Sequence, residues 1–170
     1  MHRALPSIVL PAVLSATLAT ALVACDPGPQ AQAELDYHAE LLPILADNAK
    51  MAKDFQALAA RIKKESPDAK DVGKRLDRQF IPSAQALADR ARAVQPGTSE
   101  LTEAHVLLVD AWVARVDHYE GVRDAWKDED LDAYQASADA SYASKALEDR
   151  YFREVNVALA PASVTLQPYP

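Results

Sequence analysis

The sequence predicts an all-α protein: an antiparallel, up-down-up-down four-helix bundle behind an N-terminal signal peptide. Three observations lead there. Apolar side chains recur at intervals of three and four in four separate stretches, and no stretch shows the period-two alternation of a strand. The breaks between the stretches are short and rich in Pro, Gly, Ser and Asp. Short connections make consecutive helices antiparallel neighbours, for which a bundle is the natural packing. An elongated three-helix array that offers its fourth helix to a partner is the other arrangement compatible with this pattern.

The first element is residues 1–24. After His2 and Arg3 the chain runs "ALPSIVLPAVLSATLATALVA" without a charged side chain. A membrane span needs about 20 apolar residues. This run has the length, but Pro6, Pro11 and several Ser and Thr weaken it as a span. The small residues at its end suit a processing site, so it reads as an export signal.

Leu22-Val23-Ala24-Cys25 then resembles the lipobox of bacterial lipoprotein precursors. The resemblance covers the first 25 residues. It implies that the Cys25 thiol is diacylated, that the signal is cut before Cys25, and that the protein is held by lipid on the periplasmic face of a bacterial membrane. Each buried methylene of such chains contributes about 0.8 kcal/mol. Cys25 is the single cysteine, so no intramolecular disulfide or cysteine metal site competes for it. Asp26 resembles the inner-membrane retention signal of enterobacterial lipoproteins, and the outer membrane is the alternative destination.

Removing 24 of 170 residues leaves 146, enough for one domain with a real core. The mature chain carries 17 Lys and Arg against 25 Asp and Glu, a formal charge of −8. That balance argues against nucleic acid as a partner and against electrostatic adhesion to anionic lipid. Residues 25–33 form the lipidated cysteine and a flexible tether, "DPGPQAQA", with two Pro, one Gly and no large apolar residue.

Helix one is expected over about 34–65, with Tyr37, Leu41, Ile44, Met51, Phe55, Leu58 and Ile62 in a stripe that Asn48 completes. It stops at "ESPD", where Ser66 caps helix two and Pro67 takes its first turn. Helix two, about 68–94, shows Val72, Leu76, Phe80, Leu87, Ala91 and Val94 on one side. Helix three, about 99–126, follows "QPGTSE" and is apolar almost all round through "AHVLLVDAWVARV". Either it is the most buried helix or its second face binds something. Helix four, about 131–159, has a stripe of Ala133, Ser137, Ala140, Ser144, Leu147, Tyr151, Val155 and Ala158. An irregular Pro-rich tail, 161–170, closes the chain.

Catalytic signatures are missing from the sequence. The di-iron pattern of helical bundles needs Glu-x-x-His on two helices. Three residues before His38, His105 and His118 stand Leu35, Thr102 and Arg115 instead. No Cys-x-x-Cys-His, Gly-x-Ser-x-Gly or Ser-x-x-Lys occurs, and the four glycines are isolated, so no phosphate loop forms. The expectation is a non-enzymatic protein without cofactor or metal. It would act as an interaction or accessory domain in the cell envelope, with a protein partner there.

One pattern points to a rival reading. If helices one and three start level, His38 matches His105 and Asn48 matches Arg115. Ser83 of helix two and Ser141 or Tyr142 of helix four then fall near the same height. Glu148 lies on the inner face of helix four, between the levels of Arg115 and His105. Pro82 adjoins this height and removes a backbone hydrogen bond. The layer is either a buried polar network that fixes register or a site where Arg115, Asn48 and Ser83 bind a small anionic or polar ligand. His38 is expected at a helix end and His118 in solvent. Glu103, Asp110, Asp117 and Asp124, seven residues apart, form either a solvated face or a docking strip for a basic partner helix.

Overall fold

The computed structural model describes residues 28–65 and 67–168. The signal peptide, Cys25, Asp26 and the Ser66 cap lie outside them. Within them the chain is mostly helical: α1 (Pro29–Glu65), α2 (Ala69–Arg75), a π-helical turn (Leu76–Phe80), α3 (Ile81–Ala93), α4 (Ser99–Asp128) and α5 (Leu131–Ala158). Segments α2, the π turn and α3 follow without a break, so there are four helical rods. No strand occurs among the described residues.

Contacts along the rods set their order. Tyr37, Asn48 and Phe55 of α1 meet His105, Arg115 and Tyr119 of α4, both ascending. Tyr151, Glu148 and Ser137 of α5 meet the α1 and α4 levels in descending order, as antiparallel neighbours do. The core between them holds Leu41, Leu76, Phe80, Leu101, Leu108, Trp112 and Val155, all essentially inaccessible. Helix α4 is the most buried rod. Its Leu107, Val109, Val113 and Val116 lean on the core from the flanks, which accounts for its apolar circumference; Val106 alone stays half exposed.

Helix one starts earlier than its spacing predicts. Pro29 opens it, so Pro29–Ala33 is helix and only residues 26–28 separate Cys25 from a 37-residue rod. Proline suits a first helical turn because the N–H it lacks has no partner there. The early turn is also packed: a Cβ added to Gly97 would stand 2.6 Å from the Ala33 Cβ. Asp68, whose carboxylate accepts from the Lys70 amide at 2.7 Å, caps α2, and Pro67 precedes the helix rather than opening it.

Pro82 has the expected effect in an unexpected form. In a regular helix its ring would clash with the carbonyl four residues back. The chain instead widens into the π turn just upstream, where the Ile81 amide donates to Leu76 O, five residues back. Pro43 lies inside α1 without breaking it.

The ends are tightly made. Thr98 caps α4 through the Leu101 amide at 3.2 Å. Glu129 turns left-handed at φ 56°, and Asp130 caps α5 through the Ala133 amide at 3.0 Å. The tail is irregular, as its prolines require, but it is docked. The Asn156 amide donates to Leu166 O at 2.9 Å and accepts from the Leu166 amide at 2.7 Å, burying Leu166. His38, half-buried, lies 3.0 Å from Thr165 O and so ties α1 to the tail.

Candidate functional site

Three polar layers cross the apolar core. The middle one is the layer predicted around Arg115, and it closes on itself. Arg115 Nη1 donates to Asn48 Oδ1 at 2.5 Å and Nη2 to Glu148 Oε2 at 2.8 Å. Asn48 Nδ2 and Trp112 Nε1 both donate to Glu148 Oε1, at 3.3 and 3.0 Å. The Arg115 and Glu148 side chains are 12% and 5% exposed. Every polar group that points inward has a partner, which is what a buried ion pair needs to offset its desolvation.

Asn48, Arg115 and Glu148 therefore meet as expected, and Asn48 lies 67 residues before Arg115, the offset that level helices require. Ser83, Ser141 and Tyr142 do not join them. Ser83 lines a separate surface recess with Asp47, Met51 and Arg90. Tyr142 is 73% exposed and Ser141 half buried. The reason is the lean of long side chains toward the N-terminus of their own helix. The bonds joining Ser144 to Ala111 O and Ser137 to His118 put the Arg115 backbone level with Ala140, one residue from Ser141. The guanidinium then climbs toward Trp112 and finds Glu148, a turn or two from its own backbone level. Backbone counting located the height and left Glu148 between Arg115 and His105; the reach of the guanidinium decides for Arg115. Trp112 lies in the apolar stretch of helix three, and its indole N–H is the one sequence cue to its place in this layer.

The upper layer was not anticipated. His105 Nε2 lies 2.9 Å from Ala91 O, a carbonyl in the last turn of α3, and Nδ1 lies 2.9 Å from the Tyr37 hydroxyl. A carbonyl can only accept, so Nε2 carries the proton and Nδ1 accepts from Tyr37. Tyr151, 3.2 Å from Tyr37, then donates to the Tyr37 oxygen. The chain of donors is complete with a neutral imidazole. Burial pushes His105 below the ordinary histidine value, opposed by the Ala91 carbonyl, and pushes both phenols up.

The lower layer overturns the expectation that His118 faces solvent. His118 is buried, and its Nδ1 donates to Ser137 O at 2.6 Å while Ser137 Oγ donates back to His118 O at 2.9 Å. A small serine lets α5 approach α4 here, and Gly121 is needed for the same reason: a Cβ there would stand 2.8 Å from Ser137 Oγ. Burial depresses the His118 imidazole as well.

On the outer side of α4, Glu103, Asp110, Asp117 and Asp124 are all exposed. Asp124 is engaged by Arg123 at 2.8 Å, which holds its carboxyl below the usual range, and Arg123 also reaches Asp77 at 3.2 Å. Two buried polar atoms lack a hydrogen-bond partner among the described residues, Glu34 Oε2 and Trp126 Nε1. Among those residues no group of three or more His, Cys, Asp or Glu is placed to hold a metal ion, and no helix is long and apolar enough to cross a membrane.

No family model, curated protein or solved structure matches this chain.

Proposed function

We propose that the chain is a lipid-anchored protein of the bacterial cell envelope whose helical bundle acts by binding a protein partner rather than by catalysis. The observation that carries this reading is the start of α1. Cys25, in its lipobox setting, is followed after only Asp26, Pro27 and Gly28 by a 37-residue helix, about 55 Å long at about 1.5 Å per residue. A link of three residues spans at most about 11 Å, so the bundle is held at one end by a short tie. An acidic surface gives it no affinity for anionic lipid, and it stands out from the bilayer with the exposed face of α4 open to a neighbour.

The acids Glu103, Asp110, Asp117 and Asp124 suit a basic partner helix, since their interval of seven follows one helical face. The rival reading, a small ligand on Arg115, has less support: Arg115 is already bonded to Asn48 and Glu148, and Glu148 also accepts from Trp112.

A photo-crosslinking residue at Asp117 tests the proposal in cells that make the full chain. The expected result is one adduct with a second envelope protein, lost on Asp110→Lys and lost when Cys25→Ser releases the chain from the membrane fraction. No adduct from Asp110, Asp117 or Glu103, with Cys25→Ser still in the membrane fraction, overturns it.

A further inference from the structure

Beside the lower polar layer, in the half of the bundle remote from Pro29, lies a cavity of about 400 Å³. Phe55 and Ile62 of α1, Val72 of α2, Leu76 of the π turn, Val122 of α4 and Ala138 of α5 supply its apolar walls. Small-molecule sites fall between about 300 and 1,000 Å³ and combine such walls with a few placed polar groups. His118 and Trp126 also line it, eight residues apart on α4 and so about 12 Å apart at about 1.5 Å per residue. Aromatic rings stand at both levels: Phe55 meets the His118 ring edge-on with centroids 6.0 Å apart, and Trp126 meets Tyr134 edge-on at 6.4 Å.

The free nitrogen of His118 defines the guest. Nδ1 lies 2.6 Å from Ser137 O, and a carbonyl only accepts, so Nδ1 carries the proton of the neutral ring. Nε2 is left with a lone pair and has no hydrogen-bond partner among the described residues. The residue is 8% exposed, yet Nε2 keeps accessible surface, and that surface belongs to the cavity His118 lines. Native interiors seldom leave such an acceptor bare. A lone pair repels an anion, and no acidic side chain in the walls would pair with a cation. No second His, and no Cys, Asp or Glu, lines the cavity to complete the shell of a metal ion. A neutral donor suits it, a hydroxyl on an apolar body, and the rings at both levels favour a planar aromatic body over an aliphatic one.

We infer that this cavity binds a neutral aromatic alcohol of the phenol class, its rings lying between Phe55 and Trp126 and its hydroxyl donating to His118 Nε2. The assignment is independent of the partner proposed for α4. It gives the Nδ1 bond to Ser137 O a role, since that bond fixes the tautomer whose Nε2 accepts. Burial, which holds the imidazole below the ordinary histidine value, keeps that lone pair free at neutral pH.

The test follows the imidazole itself. The chain, labelled with nitrogen-15 at histidine and held in phosphatidylcholine nanodiscs, is titrated with 2-naphthol while the ring nitrogens are recorded by NMR. The His118 Nε2 signal should move upfield as it accepts the hydroxyl proton. The analogue 2-methoxynaphthalene, with the same rings and no donor, should not produce that move. Equilibrium dialysis against empty nanodiscs should show 2-naphthol bound about fivefold more tightly than the analogue, the worth of one neutral hydrogen bond. His118→Phe should bind the two compounds alike. Ala138→Phe, at a half-buried position on the cavity wall, should abolish binding of both. An Nε2 signal that 2-naphthol leaves in place, equal affinity of the parent for the two compounds, or undiminished binding to Ala138→Phe overturns the inference. The first two readings use the parent chain alone, so they decide even where a variant fails to fold.

Discussion

Replacing Arg115 by Met removes the cation from the middle layer while keeping the apolar stem. Two donors vanish, one at 2.8 Å from Glu148 Oε2 and one on Asn48 Oδ1. Glu148 Oε1 keeps Trp112 and Asn48 as donors, but its second oxygen is left buried and bare on a carboxylate 5% exposed. Breaking a buried pair from one side costs about 3 to 5 kcal/mol. Because the guanidinium is 12% exposed, the lower end applies, about 3 kcal/mol. For a domain of this size that is a fall in Tm of about 6 to 12 °C. Arg115→Met with Glu148→Met removes both charges and should recover part of the loss, since no bare carboxylate is left buried, while Trp112 Nε1 and the Asn48 amide give up their partners. Urea unfolding of the four members of this cycle gives the coupling, expected to exceed about 2 kcal/mol. A single Arg115→Met variant as stable as the parent, with no coupling to Glu148, refutes the idea that the layer is a closed, mutually dependent network.

Acidification gives a signed prediction. Burial holds His105 and His118 below the ordinary value near 6.5, so below that pH the unfolded chain binds more protons than the folded one. Stability therefore rises with pH from their lowered values up to about 6.5, and urea midpoints should fall between pH 7.5 and 5, less steeply in His105→Gln with His118→Asn. Gly97→Ala should cost about 1 to 3 kcal/mol in thermal unfolding, because the new methyl has to displace Ala33; no loss would mean that the first turn of α1 is unpacked. Tyr37→Phe strands His105 Nδ1 and the Tyr151 hydroxyl together and should cost about 1 to 3 kcal/mol by the same measurement.

Four rods were legible because their apolar periodicity is long and unopposed, and caps such as Thr98 and Asp130 stand where helix-start chemistry puts them. Local signals failed where tertiary contact decided. Pro29–Ala33 has a linker's composition, yet it is helix and packs against Gly97 through Ala33. Asn156 folds a proline-rich tail onto the bundle through two backbone bonds that no local pattern announces. His118 sits among Asp117, Tyr119 and Glu120, a polar-looking setting, but Ser137 and Gly121 open room for α5 to cover it. The middle layer was readable in height because Asn48 and Arg115 interrupt their stripes at matching offsets. Its partners were readable in part: Glu148 faces inward between Arg115 and His105, and the reach of the arginine decides for Arg115, whereas Ser83, Ser141 and Tyr142 share the height without joining. The upper layer hid in residues whose rings count as apolar in a periodicity while their hydroxyls and ring nitrogens do not.

Mass spectrometry of the chain extracted from bacterial membranes tests the anchored-bundle account at its root. The expected result is a mature chain that begins at Cys25 and carries acyl groups on that residue, with three residues between it and α1. A chain that still contains residues 1–24, or one whose Cys25 thiol is free, contradicts it.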